Sequence, residues 1–378
     1  MKRYVIFCSH YLPHLGGVER YTYNLASMLT NHGHEVIIIT SLLDGLPEQE
    51  ICDSISIFRV SSILLLKGRF PVLWPSKAWR NVKKLLKRKE IDLYIIQTRF
   101  YPLSLVGVRL AEKSGIPSLI IEHGTAHFSI DNYLLDKFGH LYEHWITSRV
   151  KHWCKHFYGV SAACNDWLTH YKIHADGILY NAVNLVEIKQ YMEKPVIDYK
   201  AALHLPSNAF VITYTGRLLV AKGIRKLMES VERLNTEYGN LFLIIAGTGD
   251  LYNEVVQRSG YNIRVLGQID FHEIIALLKQ TDIFCLPTDY PEGMPTSIIE
   301  ASACECFIIT TTAGGSKELI TDDSYGIILH ENTVENICES IRRVMSDPNY
   351  RKKAVDLTHQ RLLSDFTWEK NFKIIDGL

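Results

Sequence analysis

Residues 283–318 read IFCLPTDYPEGMPTSIIEASACECFIITTTAGGSKE, and the fold is decided there. The apolar run 283–286 reads as a short buried strand, and 287–293 is full of turn formers. Pro295 suits the first turn of a helix, where its missing N–H is not needed. Glu292 therefore falls in a loop and Glu300 about a turn inside the helix, with seven residues between them. The N–H groups of Met294, Thr296 and Ser297 are expected to point out of the helix start, where the positive end of the dipole favours an anion such as phosphate. A second apolar run, 307–311, supplies the next strand, and the pattern is that of an α/β protein.

Outward from this stretch, 378 residues are too many for one ordinary core and predict two domains. Hydrophobic residues make up 47% and charged residues 22%, ordinary for an α/β chain. Basic and acidic residues balance at 41 each, yet residues 1–185 hold 21 basic against 15 acidic and the remainder 20 against 26, so the first half leans basic. Eight cysteines occur without a Cys-x-x-Cys pair, and Cys304 and Cys306 have no histidine near them in sequence. They indicate neither a zinc site nor a disulfide framework, and are read as reduced, buried thiols. The start MKRYVIFCSHYLP is too short in apolar residues for the roughly 7–15 of a signal segment, and no run reaches the roughly 18 of a membrane span. The expectation is a cytoplasmic chain.

Ahead of the opening stretch, residues 4–9 read as a strand, 11–19 (YLPHLGGVE) as a turn with Gly16 and Gly17, 18–31 as a helix and 34–40 as a strand. In this βαβ unit the two glycines either admit a bound ligand at the helix start or form a plain loop. Strands at 93–97 and 118–122 flank a helix at 103–114, and the second runs into Glu122, His123, Gly124 and then His127. A histidine at the mouth of a parallel strand stands where such sheets hold ligands; the competing reading is a satisfied histidine at the sheet edge, and for His127 a loop histidine. A further helix is expected at 141–157, and 185–208, with Pro195 and Pro206, reads as the interdomain linker. Beyond it, strand 210–216 leads through Arg217 and Lys222 into a helix from Ile224, which sets two cations at the sheet edge. The turns at Gly247 and Gly267 close the next two strands.

Residues 61–90 stand apart, with Lys67, Arg69, Lys77, Arg80, Lys83, Lys84, Lys87, Arg88 and Lys89 beside Phe70, Trp74 and Trp79. After Pro75 they read as a helix with Trp79, Val82, Leu85 and Leu86 inward. Such a helix either lies on an anionic membrane surface or is a solvated face of its own domain. Nucleic acid is not indicated, because no recognition fold accompanies the patch.

The segment PEGMPTSIIEA (291–301) resembles the E-x7-E signature of retaining glycosyltransferases with the GT-B fold, in the family usually called GT4 (glycosyl transferases group 1). GRLLVAKG (216–223) resembles that family's diphosphate clamp, YLPHLGGVE its first loop, and His123-Gly124 its H-G element. The resemblance implies two Rossmann-like domains facing across a cleft: 1–185 for the acceptor, 186–358 for the nucleotide-sugar, and a closing helix, 359–378, that returns to the first. It implies Glu292 and His123 as catalytic residues. Gly16, Gly17, Arg217, Lys222, Gly267, Met294, Pro295, Thr296 and Glu300 would bind the donor, with Glu19 and His127 on the acceptor side. Glu300 would accept from the ribose hydroxyls, and the two cations would neutralise the diphosphate, so no metal or other cofactor is expected. The implied partners are a nucleotide-sugar, UDP favoured over GDP, a saccharide or lipid-linked saccharide acceptor, and an anionic membrane surface. The implied role is bacterial surface polysaccharide synthesis. A GT-B nucleotide-sugar epimerase and a noncatalytic nucleotide-sugar-binding subunit remain as alternatives.

Overall fold

Short apolar runs that end in polar residues build the strands. RYVIF, LYIIQ and SLIIE are buried almost throughout, as expected of parallel strands covered on both faces. The computed structural model describes residues 1–14, 16–66, 68–130, 132–193 and 197–378. Lys67 of the basic stretch and Pro195 of the expected linker lie outside the described residues.

The first unit comprises Met1–Asn181 and Trp368–Leu378. In chain order it runs β1 (Arg3–Phe7), α1 (Gly17–Asn31), β2 (Glu35–Ser41), β3 (Gln49–Cys52), β4 (Ile55–Val60), β5 (Ser62–Leu65), β6 (Phe70–Leu73), α2 (Lys77–Arg88), β7 (Leu93–Gln97), α3 (Pro102–Ser114), β8 (Ser118–Glu122), α4 (Tyr133–Trp153), β9 (His156–Gly159), α5 (Ala162–Thr169) and β10 (Gly177–Ile178). Eight strands form one sheet in the order β10-β9-β8-β7-β1-β2-β4-β3, parallel except for the edge pair β3 and β4. β5 and β6 form a separate antiparallel hairpin.

The second unit, Ala182–Thr367, contains α6 (Leu185–Glu193), α7 (Tyr199–Ala202), β11 (Phe210–Thr215), α8 (Ile224–Asn235), β12 (Leu241–Ala246), α9 (Tyr252–Gln257), β13 (Ile263–Gly267), α10 (Phe271–Leu278), β14 (Ile283–Leu286), α11 (Thr296–Ala303), β15 (Phe307–Thr311), α12 (Ser316–Leu319), β16 (Ile327–Leu329), α13 (Val334–Ser346) and α14 (Pro348–Asp365). Its six strands are all parallel, in the order β13-β12-β11-β14-β15-β16. Each sheet therefore has a switch point, β1/β7 in the first unit and β11/β14 in the second. Crevices for ligands open there, beyond the C-terminal ends of the strands.

Several expectations shift. The units divide at 181/182 and 367/368, not at 185/186 and 358/359. α14 stays in the second unit because its side chains bond there: Nδ1 of His359 meets the Ser302 carbonyl at 3.0 Å and Nε of Arg361 donates to the Glu318 carbonyl at 2.6 Å. Only the last helix, α15 (Trp368–Asp376), joins the first unit, where Trp368 packs edge-on to Tyr21 and Asn371 donates to the Tyr180 carbonyl at 2.7 Å. The helix expected at 141–157 starts eight residues earlier, at Tyr133, because the Asn132 side chain caps it by accepting from the Leu135 N–H. In α2, Trp79 is buried in the core beside Val82 and Leu86, as the helical spacing predicts, so it is unavailable to a membrane surface, and Leu85 is only half-buried. Cys52 is the exception among the thiols: it is exposed, because it sits on the edge strand β3.

Candidate active site

In the second unit the two loops that flank the switch point carry the charges. The chain leaving β11 passes Arg217 and Lys222 before α8, and the chain leaving β14 passes Tyr290 and Glu292 before α11. Gly223 lets these loops meet: its φ is +76°, and a Cβ there would stand 1.8 Å from the Pro287 carbonyl oxygen. Across the contact the Lys222 ammonium is ion-paired with Glu292, with side chains only 12% and 13% exposed. The Tyr290 ring lies beside both cations, 5.3 Å from the Arg217 guanidinium and 5.1 Å from the Lys222 ammonium. Its face is a favourable place for positive charge. Among the described residues no carboxylate pairs with Arg217.

Gly314 presses on the other side of the Glu292 loop. At φ +56°, a Cβ on it would stand 2.3 Å from the Glu292 carbonyl oxygen, while Gly315 donates its N–H to the Gly293 carbonyl at 2.8 Å. Pro295 is the N-cap of α11, one position before the first turn that was expected to hold it. Met294 and Pro295 are buried, Thr296 and Ser297 half-buried, and Glu300 is buried one turn into the helix. Gly267 closes β13 and its carbonyl accepts from the Gly247 N–H at 2.7 Å. Two cations, a helix start and two carboxylates thus share one end of the sheet, an arrangement suited to holding a diphosphate and stabilising it as it departs.

In the first unit, Gly16 caps α1 in an extended conformation and Gly17 opens the helix, both exposed. Glu19 is buried in the first helical turn, its carboxylate 3.0 Å from Nδ1 of His14 and raising the pKa of that histidine. His123 follows β8, with Nε2 2.6 Å from Oε1 of Gln97 and its ring edge-on to Tyr21 at 4.8 Å. With the amide oxygen as acceptor, the proton sits on Nε2 and Nδ1 is left as an acceptor. Burial pushes the His123 pKa down to about 3, so the ring is neutral near pH 7.

The His123 loop is held by charges that sequence reasoning did not find. Arg99, fully buried after β7, donates to Glu122 at 2.6 Å and to Glu143 of α4 at 3.1 Å. The other oxygen of Glu122 accepts from the N–H groups of His123 and Gly124, each at 3.2 Å, and that of Glu143 accepts from the Phe128 N–H at 2.6 Å. One guanidinium therefore fixes both ends of the 123–128 loop. His127 joins the same network, its Nδ1 3.2 Å from Glu143 and 3.0 Å from the Tyr171 hydroxyl. Burial lowers the pKa of His127.

The same unit carries an apolar cavity of about 250 Å³, bounded by Leu66, Phe70, Phe100, Phe128, Leu135 and Phe138. Exposed apolar side chains continue from it along the β5–β6 hairpin, at Leu64 and Leu65, and along α4, at Leu134, Leu141 and Trp145. No helix among the described residues is long and apolar enough to cross a membrane.

Two family models match the chain in succession: Glycosyltransferase Family 4 over residues 15–187 and Glycosyl transferases group 1 over residues 196–360. The chain belongs to the GT-B glycosyltransferases. An uncharacterized glycosyltransferase of Methanocaldococcus jannaschii is 23% identical over 98% of this chain and 96% of its own length. Among solved structures, sucrose-phosphate synthase of Thermosynechococcus elongatus superposes with a TM-score of 0.78 at 18% identity, covering 100% of this chain and 98% of that one. HepE of Anabaena in complex with UDP gives 0.77 at 16% identity, covering 100% and 99%, and HepE has also been solved with UDP-glucose.

For the glycosyltransferase, the structure gathers Arg217, Lys222, Gly267, Met294, Pro295, Thr296, Glu292 and Glu300 in one unit, and Gly16, Gly17, Glu19, His123 and His127 in the other. It also pairs Lys222 with Glu292, which the sequence had assigned to different parts of the donor. Arg99, Glu122, Glu143, Tyr290 and Gly314 were not anticipated. Glu122 had one visible signal, a charged residue at the last position of an otherwise apolar strand.

Proposed function

We propose that the enzyme is a retaining, metal-independent GT4 transferase that uses a nucleotide-sugar, UDP-linked before GDP-linked, and extends a lipid-linked saccharide in the synthesis of a bacterial surface polysaccharide. The observation that carries this reading is the Lys222–Glu292 pair beside Arg217 at the β11/β14 switch point. A donor diphosphate entering there takes the two cations, and its charge on leaving is met by Lys222, Arg217 and the start of α11 without a metal ion. Glu292, relieved of Lys222, faces the sugar hydroxyls and the developing positive charge at the anomeric carbon. Glu300 accepts from the ribose hydroxyls. Neutral His123 orients the sugar or the acceptor hydroxyl through hydrogen bonds, and Glu19 lies on the acceptor side with the 123–128 loop.

The UDP preference draws on HepE, whose structures hold UDP and UDP-glucose. The lipid-linked acceptor draws on the apolar cavity and on the exposed apolar side chains of α4 and the β5–β6 hairpin, which offer hydrocarbon a dry surface. Localisation follows from that: a cytoplasmic enzyme peripheral on the inner face of the cell membrane.

The test is a scan of UDP-, GDP- and ADP-sugars with purified enzyme, products weighed by mass spectrometry and their anomeric configuration read by NMR in the presence of EDTA. A transferred sugar with the donor's configuration is expected. An inverted product, or activity lost in chelator and restored only by Mg²⁺, would overturn the retaining, metal-independent reading. A free isomerised sugar would make it an epimerase.

A further inference from the structure

Three histidines from three separate segments converge in the first unit. His127 lies in the loop after β8, His144 on α4, and His170 directly after α5. One ring nitrogen from each lies within 4.8 Å of the other two. The Nε2 atoms of His144 and His170 face each other at 3.2 Å, close to the separation of two nitrogens bound to one ion at about 2.0–2.1 Å in tetrahedral geometry.

Their surroundings add to the case. Nδ1 of His127 is taken by the Glu143 carboxylate at 3.2 Å and by the Tyr171 hydroxyl at 3.0 Å. A carboxylate on one imidazole nitrogen is the outer-shell arrangement that fixes the ring and leaves the other nitrogen with its lone pair for a metal. Glu143 is itself oriented by buried Arg99, and the His170 ring stacks on Trp167 with planes only 7° apart. His144 and His170 are exposed, so an ion reaches the cluster from solvent and water completes its shell.

We propose that His127, His144 and His170 form a binding site for one borderline divalent transition-metal ion, with Zn²⁺ the best match to three imidazoles and a water. Imidazole sets favour such ions over Mg²⁺ or Ca²⁺, which take oxygen ligands. The ion is held within the first unit, whereas Arg217, Lys222 and Glu292 belong to the second. It ties the 123–128 loop to α4 and to the end of α5, and thereby sets the stiffness of the loop that presents His123.

Full-length protein stripped with chelator and desalted would be titrated with Zn²⁺ by calorimetry and with Co²⁺ by visible absorption. One ion per chain is expected, with the intense d–d bands of four-coordinate Co²⁺. His144→Ala and His170→Ala should each weaken binding by about tenfold or more, while His156→Ala, in a pair with Asp176 elsewhere, leaves it unchanged. Circular dichroism checks that each variant folds. Absence of binding to wild type, or equal binding by wild type and the His144→Ala/His170→Ala double variant, overturns the site and leaves a stacked aromatic cluster. The readout is independent of transfer activity, so it stands or falls separately from the proposed reaction.

Discussion

Lys222 and Glu292, seventy positions apart, are ion-paired between the loops that follow β11 and β14. Each supplies the other with a counter-charge. Replacing Lys222 or Arg217 by Ala removes a charge-assisted contact of about 1.5–3 kcal/mol, which should lower turnover by about 10- to 100-fold. Glu300→Ala should mainly raise the KM for donor. Initial rates on variants with native circular dichroism check this, and wild-type turnover in both cation variants would sink the clamp.

The Arg99 network predicts a stability effect. Breaking a buried ion pair by removing one partner strands a charge, at a cost of about 3–5 kcal/mol. Arg99→Leu leaves Glu122 and Glu143 both without their guanidinium. Urea unfolding should show a large drop in midpoint. Glu143→Gln, which keeps an acceptor oxygen, should cost less.

Acid should destabilise the first unit partly through His123. In the native state its pKa is about 3, whereas an unfolded histidine titrates near 6.5. Between those values the unfolded chain binds the extra proton, so stability falls as pH drops below about 6.5, by up to about 1.4 kcal/mol per pH unit from this residue. Urea midpoints for wild type and His123→Asn, followed from pH 7 to pH 5, should converge toward low pH. Parallel curves would show that His123 makes no such contribution.

Membrane attachment is predicted to depend on both apolar and basic side chains. Leu134 and Phe138 are exposed on α4, and Lys84 and Lys87 on α2. Each cation near an anionic bilayer adds about 1 kcal/mol and is screened by salt. Sedimentation with anionic vesicles should show wild type bound, Leu134→Glu/Phe138→Glu largely released, and Lys84→Glu/Lys87→Glu bound more weakly. Equal partitioning of all three, or no binding by wild type, would favour a soluble acceptor.

What the sequence determined by itself was local. Apolar runs of strand length, glycine turns and the proline before α11 set the order of elements, because backbone preferences and hydrophobic periodicity act over a few residues. The loops after β11 and β14, with Arg217, Lys222 and Glu292, and Glu300 in the helix that follows, were legible for the same reason. Tertiary structure decided the rest. Arg99 meets Glu122 and Glu143 only because β7, β8 and α4 pack together, and a charge looks the same in sequence whether it is solvated or buried. Apolar spacing placed Trp79 inward, but along α4 the exposed Leu134, Phe138 and Leu141 carry the same apolar signal without a neighbour to cover them. His127, His144 and His170 come from a loop, a helix and the residue just after another helix, and no spacing within one chain segment announces a cluster that only the folding of three segments brings together.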